Sequence, residues 1–125
     1  MQHLFLKFTI LVIIFFAFHA SFAMQKPGVK NIKYGSASFY ADKFIAHSTS
    51  NGEKYNHKKY TAACNIFPLG KWIKVTNLRN HKSVILKIND RLSRKSEHIV
   101  DVSQTAAKKL VFMSQGVAKV RVEML

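Results

Sequence analysis

GSASFY at Gly35–Tyr40, NGE at Asn51–Glu53, TAACNIFPLG at Thr61–Gly70 and NDR at Asn89–Arg91 are the four blocks on which the fold of this chain turns. Each is short and common alone. Around them run short segments rich in β-formers, broken by turn residues. Gly35–Tyr40 mixes small residues and aromatics in rough alternation. Trp72–Thr76 (WIKVT) and Ser83–Ile88 (SVILKI) flank the turn segment Leu78–Lys82 (LRNHK), which predicts a hairpin. Ile99-Val100 predicts a further short strand. Ala118–Met124 alternates cleanly, with Ala118, Val120, Val122 and Met124 on one face and Lys119, Arg121 and Glu123 on the other.

One helix is expected over Gln104–Val111. Ser103 or Asp101 precedes it as a cap, Ala106 and Ala107 favour it, and Lys108-Lys109 suit its negative C-terminal end. Gly116 then lets the chain turn into the last strand. A second short helical turn is expected around Tyr60–Ala63. The sum is a mainly β domain, closed against exposed edges.

At 125 residues there is room for one domain. Met1–Lys7 carries one Lys and no acid, Phe8–Phe18 is almost wholly apolar, and Ser21-Phe22-Ala23 supplies small residues for cleavage. This is the layout of a secretory signal over residues 1–23, and the apolar run falls short of the ~20 residues a bilayer span needs. Export and a periplasmic or envelope location follow, without stable membrane insertion after processing. Residues 24–33 are polar, contain Pro27 and Gly28, and are expected to be a flexible lead-in to a domain over 34–125. The single cysteine, Cys64, permits no intrachain disulfide and lies far from any lipidation position.

The formal charge is +14, and +13 once Lys7 leaves with the signal. Export excludes nucleic acid as the natural partner of such a surface. Peptidoglycan carboxylates, anionic lipids and wall polymers are the anions available in an envelope. A solvated, Lys-rich surface without a partner is the plainer alternative. A membrane-active cationic peptide is disfavoured by the strand alternation.

Asp90 follows the apolar strand Val84–Ile88. On residues alone it is either a turn aspartate capping its own backbone or a functional group at a strand end. Asp101 sits near the helix start, where an acid is stabilised by free amides. Glu53 lies in a polar loop, the usual place for a solvated Glu. His47, His57, His81 and His98 are too scattered for a metal site, and no cofactor is expected. Aromatics Tyr40 and Tyr55 are the two expected near a groove.

Together, in this order, the four blocks resemble the RlpA-like (rare lipoprotein A) family of bacterial envelope proteins. The resemblance covers about Gly35 to Leu125. It implies a six-stranded double-psi β-barrel with one or two short helices, acting on peptidoglycan glycan strands as a lytic transglycosylase and expected to be a monomer. It also implies catalytic roles for Asp90 and Glu53. In related double-psi barrels a functional Asp precedes the helix, and His98–Ser103 is similar to that segment, which makes Asp101 the third candidate. Substrate contacts are expected from Tyr40, Tyr55, Asn51, Arg91 and Cys64. Cys64 departs from the pattern, since the family commonly has a His there; His47 and His57 are the neighbouring imidazoles that could stand in. A non-catalytic wall-binding module of the expansin or barwin kind is the alternative the same resemblance allows.

Overall fold

The computed structural model describes residues 31–125. The expected signal, and the lead-in up to residue 30, lie outside the described residues. Six strands close into a barrel in the spatial order β1-β5-β2-β4-β3-β6. They are β1 (Ile32–Phe39), β2 (Thr61–Cys64), β3 (Trp72–Asn77), β4 (Ser83–Asp90), β5 (Val100–Val102) and β6 (Ala118–Met124). Two pairings, β1 with β5 and β2 with β4, are parallel, and the others are antiparallel. This is the six-stranded barrel that the family resemblance implied. The expected hairpin is β3–β4, with Val75 opposite Val84. Strand β1 takes in Ile32 and Lys33, which fall inside the expected lead-in.

Period-2 alternation fills the interior. Ala37, Ala62, Cys64, Ile73, Val75, Leu86, Ile88, Val100, Val102, Val120 and Val122 all point inward and are essentially inaccessible. A short helix, α1 (Gln104–Lys109), packs Ala106, Ala107 and the following Leu110 onto this core. It ends before the expected Val111, which adopts the left-handed φ of 58°. The Leu110 carbonyl is instead bound by the side-chain amides of Asn77 (2.9 Å) and Asn80 (3.0 Å), which satisfies the helix end from outside. Neither expected cap accepts from the helix start: the Ser103 hydroxyl has no partner, and Asp101 is engaged elsewhere. Gly116 turns the chain into β6 at φ 76°, as expected.

One element differs in kind. Tyr60–Ala63 is no helical turn: Thr61–Cys64 is strand β2, buried on both faces. Ala62 and Cys64 face the barrel interior, while Ala63 packs outward against Tyr40, Tyr55 and Leu92. A strand covered on both sides shows no polar alternation, so its Ala-rich sequence imitates a helix. The short helical element that does exist is a 3-10 turn at Asp42–Phe44.

Candidate active site

Strand β2 organises the acids. Ala63 is the register partner of Asp90 on β4 and of Asp101 on β5. The two aspartates therefore flank one small outward-facing residue, two strand spacings or about 9.5 Å apart at the backbone. A register shift creates this arrangement. Ala62 pairs with Ile88 but Ala63 pairs with Asp90, so Asn89 is the extra residue of a bulge. The bulge turns Asp90 away from the interior and onto the outer face, the re-aiming such irregularities produce. Tyr40, Phe44, Ala63, Asp90, Leu92 and Asp101, with Arg91, Ser93 and Ser96 at the edge, line a cleft of about 290 Å³.

Asp90 is held by four donors. Its Oδ2 accepts from the Tyr40 hydroxyl (2.6 Å), and its Oδ1 accepts from Ser50 N (2.9 Å), Ser50 Oγ (2.7 Å) and Arg91 N (2.9 Å). Partial burial pushes its carboxyl up, but the hydrogen bonds from Tyr40, Ser50 and Arg91 outweigh that, and Asp90 ionises below the ordinary aspartate range. Tyr40 moves the other way. Burial, then the bond to Asp90, then the charges of Asp90 and Asp101 raise its phenol far above the usual value, so it remains a proton donor. Asp101 accepts from the hydroxyl of Ser38, its register partner on β1.

Glu53 is not in this cleft. It sits one loop away, where its Oε1 accepts from Asn51 Nδ2 at 2.6 Å. That bond is the main reason its carboxyl is held below the ordinary glutamate range; Asn89 and the Lys87 and Lys59 charges act in the same direction. Asn51 is tied to the barrel by its N–H, which donates to the Asn89 carbonyl at 3.2 Å. Glu53 thus borders the bulge that aims Asp90 without lining the cleft.

The other expected contacts divide. Tyr40 and Arg91 line the cleft, but one Arg91 nitrogen donates to the Cys64 and Phe67 carbonyls, the latter at 2.6 Å. Arg91 thereby braces the loop after β2 and forms no ion pair with Asp90. Tyr55 is a correction: it is 3% exposed and stacks behind Tyr40, ring centroids 4.0 Å apart. Cys64 is a second correction, because its side chain points into the core at 0% exposure and cannot touch a substrate. Asn51 is exposed and clamps Glu53, with no place in the cleft.

Sequence reasoning missed Ser38 and Ser50, the hydroxyls that hold the two aspartates. Ser38 had a signal: it lies two positions before Tyr40, on the same face of an alternating strand. Ser50 had none, because its role depends on how a long loop folds back. Among the described residues no group of His, Cys, Asp and Glu is arranged to hold a metal ion, and no helix is long and apolar enough to cross a membrane.

Residues 21–122 match the family model described as lytic transglycolase, a double-psi β-barrel family. The chain is 43% identical over 91 residues to the endolytic peptidoglycan transglycosylase RlpA of Neisseria meningitidis serogroup A, covering 73% of this chain and 38% of that protein. It is 49% identical over 94 residues to the protein of the same name from Rickettsia prowazekii, covering 73% and 29%. The chain thus spans well under half the length of these relatives. Among solved structures, a Clavibacter michiganensis expansin mutant in complex with cellohexaose superposes with a TM-score of 0.59 at 12% identity, over 75% of this chain and 50% of that one, a likeness of fold alone.

Proposed function

Because the chain belongs to the lytic transglycolase family of double-psi β-barrels, we propose that it is an exported peptidoglycan lytic transglycosylase that cuts MurNAc–GlcNAc bonds within glycan strands. The observation that carries this reading is the pair of aspartates flanking Ala63 in one cleft. Their spacing leaves room for a sugar between them.

The chemistry needs a proton delivered to the glycosidic oxygen and a proton removed from the MurNAc 6-hydroxyl. As the C1–O bond breaks, an oxocarbenium-like centre develops at MurNAc C1. The 6-hydroxyl oxygen then closes on C1, giving a 1,6-anhydro end with no water consumed. Asp90, kept ionised by Tyr40 and Ser50, suits the second task and also stabilises the developing positive charge. Asp101, across Ala63, is assigned to proton delivery. Glu53 and Asn51 act at the margin, as contacts for an adjoining sugar. Location in the periplasm or envelope rests on the apolar N-terminal run and the small residues at 21–23. Peptidoglycan is the partner, and a monomer is sufficient, since both aspartates come from one chain.

The second reading, a wall-binding module without catalysis, draws on one feature. Asp90 already accepts from four donors, which leaves it little capacity to take a further proton. Incubation of the protein with purified sacculi separates the two. Anhydro-muropeptides detected by mass spectrometry, and lost in Asp90→Asn and Asp101→Asn, support the enzyme. Sedimentation with sacculi and no product would replace it with the module.

A further inference from the structure

Behind the cleft, a closed hydrogen-bonded ring joins the 3-10 turn, the long loop after it and helix α1. Asp42 Oδ1 meets His57 Nε2 at 2.8 Å, and His57 Nδ1 meets the Tyr55 hydroxyl at 2.6 Å. The Gln104 backbone N–H donates to that hydroxyl at 3.3 Å, and Gln104 Nε2 donates to Asp42 Oδ1 at 3.0 Å, closing the circuit. Gln104 Nε2 also donates to the Tyr40 carbonyl at 3.1 Å. The Tyr55 ring lies flat on the Tyr40 ring, 13° from parallel. Tyr40 is the residue that donates to Asp90 Oδ2.

Only one protonation state satisfies every member. A neutral His57 with its proton on Nε2 donates to the Asp42 carboxylate, and its bare Nδ1 accepts from Tyr55. The Tyr55 oxygen remains free to accept from Gln104. In the imidazolium both nitrogens are donors, so the Tyr55 hydroxyl proton loses its acceptor. Burial, opposed by the Gln104 N–H and aided by the Asp42 charge, pushes the Tyr55 phenol up to about 12, so Tyr55 keeps its proton throughout.

We propose that His57 is a positioning residue for the acidic cleft: as the neutral Nε2–H imidazole it locks Tyr55, which seats the Tyr40 ring and so the hydroxyl that holds Asp90. This deepens the functional reading above and rests on it for the role of Asp90. The same ring anchors the loop that supplies Ser50 to Asp90, since Thr105 N donates to the His57 carbonyl (3.0 Å) and Tyr55 pairs with Ala46 and His47 through the backbone. The titratable groups bound to His57 are Asp42 from the 3-10 turn and Tyr55 from its own loop, and α1 presents the neutral Gln104 to Asp42. Protonation of His57 removes the acceptor of the Tyr55 hydroxyl and slackens the grip on Asp90. His57 therefore does not replace the imidazole that the family pattern would put at position 64. It acts from behind, at one remove from the substrate.

The test is NMR on the full chain, with the histidine ring nitrogens and the Asp90 carboxyl carbon followed across pH. The expected result is a neutral Nε2–H tautomer and an Asp90 curve with a second inflection at the His57 midpoint, absent in His57→Gln. A single-step Asp90 curve, unchanged by His57→Gln, or an Nδ1–H tautomer, would overturn the proposal. Tyr55→Phe keeps the stacked ring and serves if His57→Gln does not fold; it too should abolish the second inflection. In glycan turnover Tyr55→Phe should lower kcat roughly three- to tenfold with KM nearly constant, as a misplaced group does; a KM effect alone counts against it. Absence of turnover in the unaltered protein would sink the enzymatic reading only, because the NMR result needs no substrate.

Discussion

The Tyr40 hydroxyl donates to Asp90 Oδ2 at 2.6 Å, and it is the only side chain bound to that oxygen among the described residues. Oδ1, by contrast, is shared by three donors from Ser50 and Arg91. Removing the phenol thus leaves half of the carboxylate without a protein partner.

Tyr40→Phe should raise the Asp90 ionisation toward the ordinary aspartate value. Asp90 is depressed in the folded protein, so the stability it lends is full above the unfolded value and disappears as pH falls through the lower folded one. The variant should lose about 1 kcal/mol near neutral pH, discounted for partial exposure, and the difference should vanish in acid. Denaturant melts at two pH values measure it. In turnover, the acid limb of the rate profile should move to higher pH.

Glu53→Gln should be milder than either aspartate change. Glu53 is clamped by Asn51 beside the bulge and does not line the cleft. A fall of roughly tenfold in kcat/KM, against loss of detectable product for Asp90→Asn and Asp101→Asn, is the expected order. Equal loss in all three would place Glu53 at the reacting bond.

The fold was legible wherever a strand has one wet face. Ala118–Met124 and the β3–β4 hairpin display period 2 because their outer residues meet solvent. Thr61–Cys64 hid its strand because both faces are covered, by the core on one side and by Tyr40 and Tyr55 on the other. The acids were readable as motif members, but their grouping was not. It depends on the extra residue Asn89, whose effect exists only once β2 and β4 are paired. The aromatic character of Tyr55 points to the groove, but a stacked second layer leaves no trace in local sequence. The Asp42–His57–Gln104 ring spans three elements and has no local signature either.

Cys64 should be inert in the native state. Its thiol is enclosed by the barrel core, and reactivity requires access. A thiol reagent should label it only after denaturation, and Cys64→Ala should retain glycan cleavage where the unaltered protein shows it. Rapid native labelling would mean that β2 opens, and with it the residue between the two aspartates.

Gly35 is required by contact, and its role is steric. A Cβ placed there would lie 2.6 Å from Ile99 Cγ2 and 3.0 Å from two further Ile99 atoms. Ile99 precedes β5, and its N–H donates to the Ser36 carbonyl at 2.9 Å, so the side chain is drawn over β1 at that point. Gly35→Ala should therefore cost about 1–3 kcal/mol, the usual range for overpacking. Shortening the obstructing side chain should recover part of it: in a double-mutant cycle, Gly35→Ala with Ile99→Ala should be less destabilised than the sum of the single changes. Additive losses would show that the glycine serves backbone conformation instead. Because Asp101 lies two residues beyond Ile99, the Gly35→Ala protein should also display a shifted Asp101 carboxyl signal, while the core signal of Val75, on the far strand β3, stays in place.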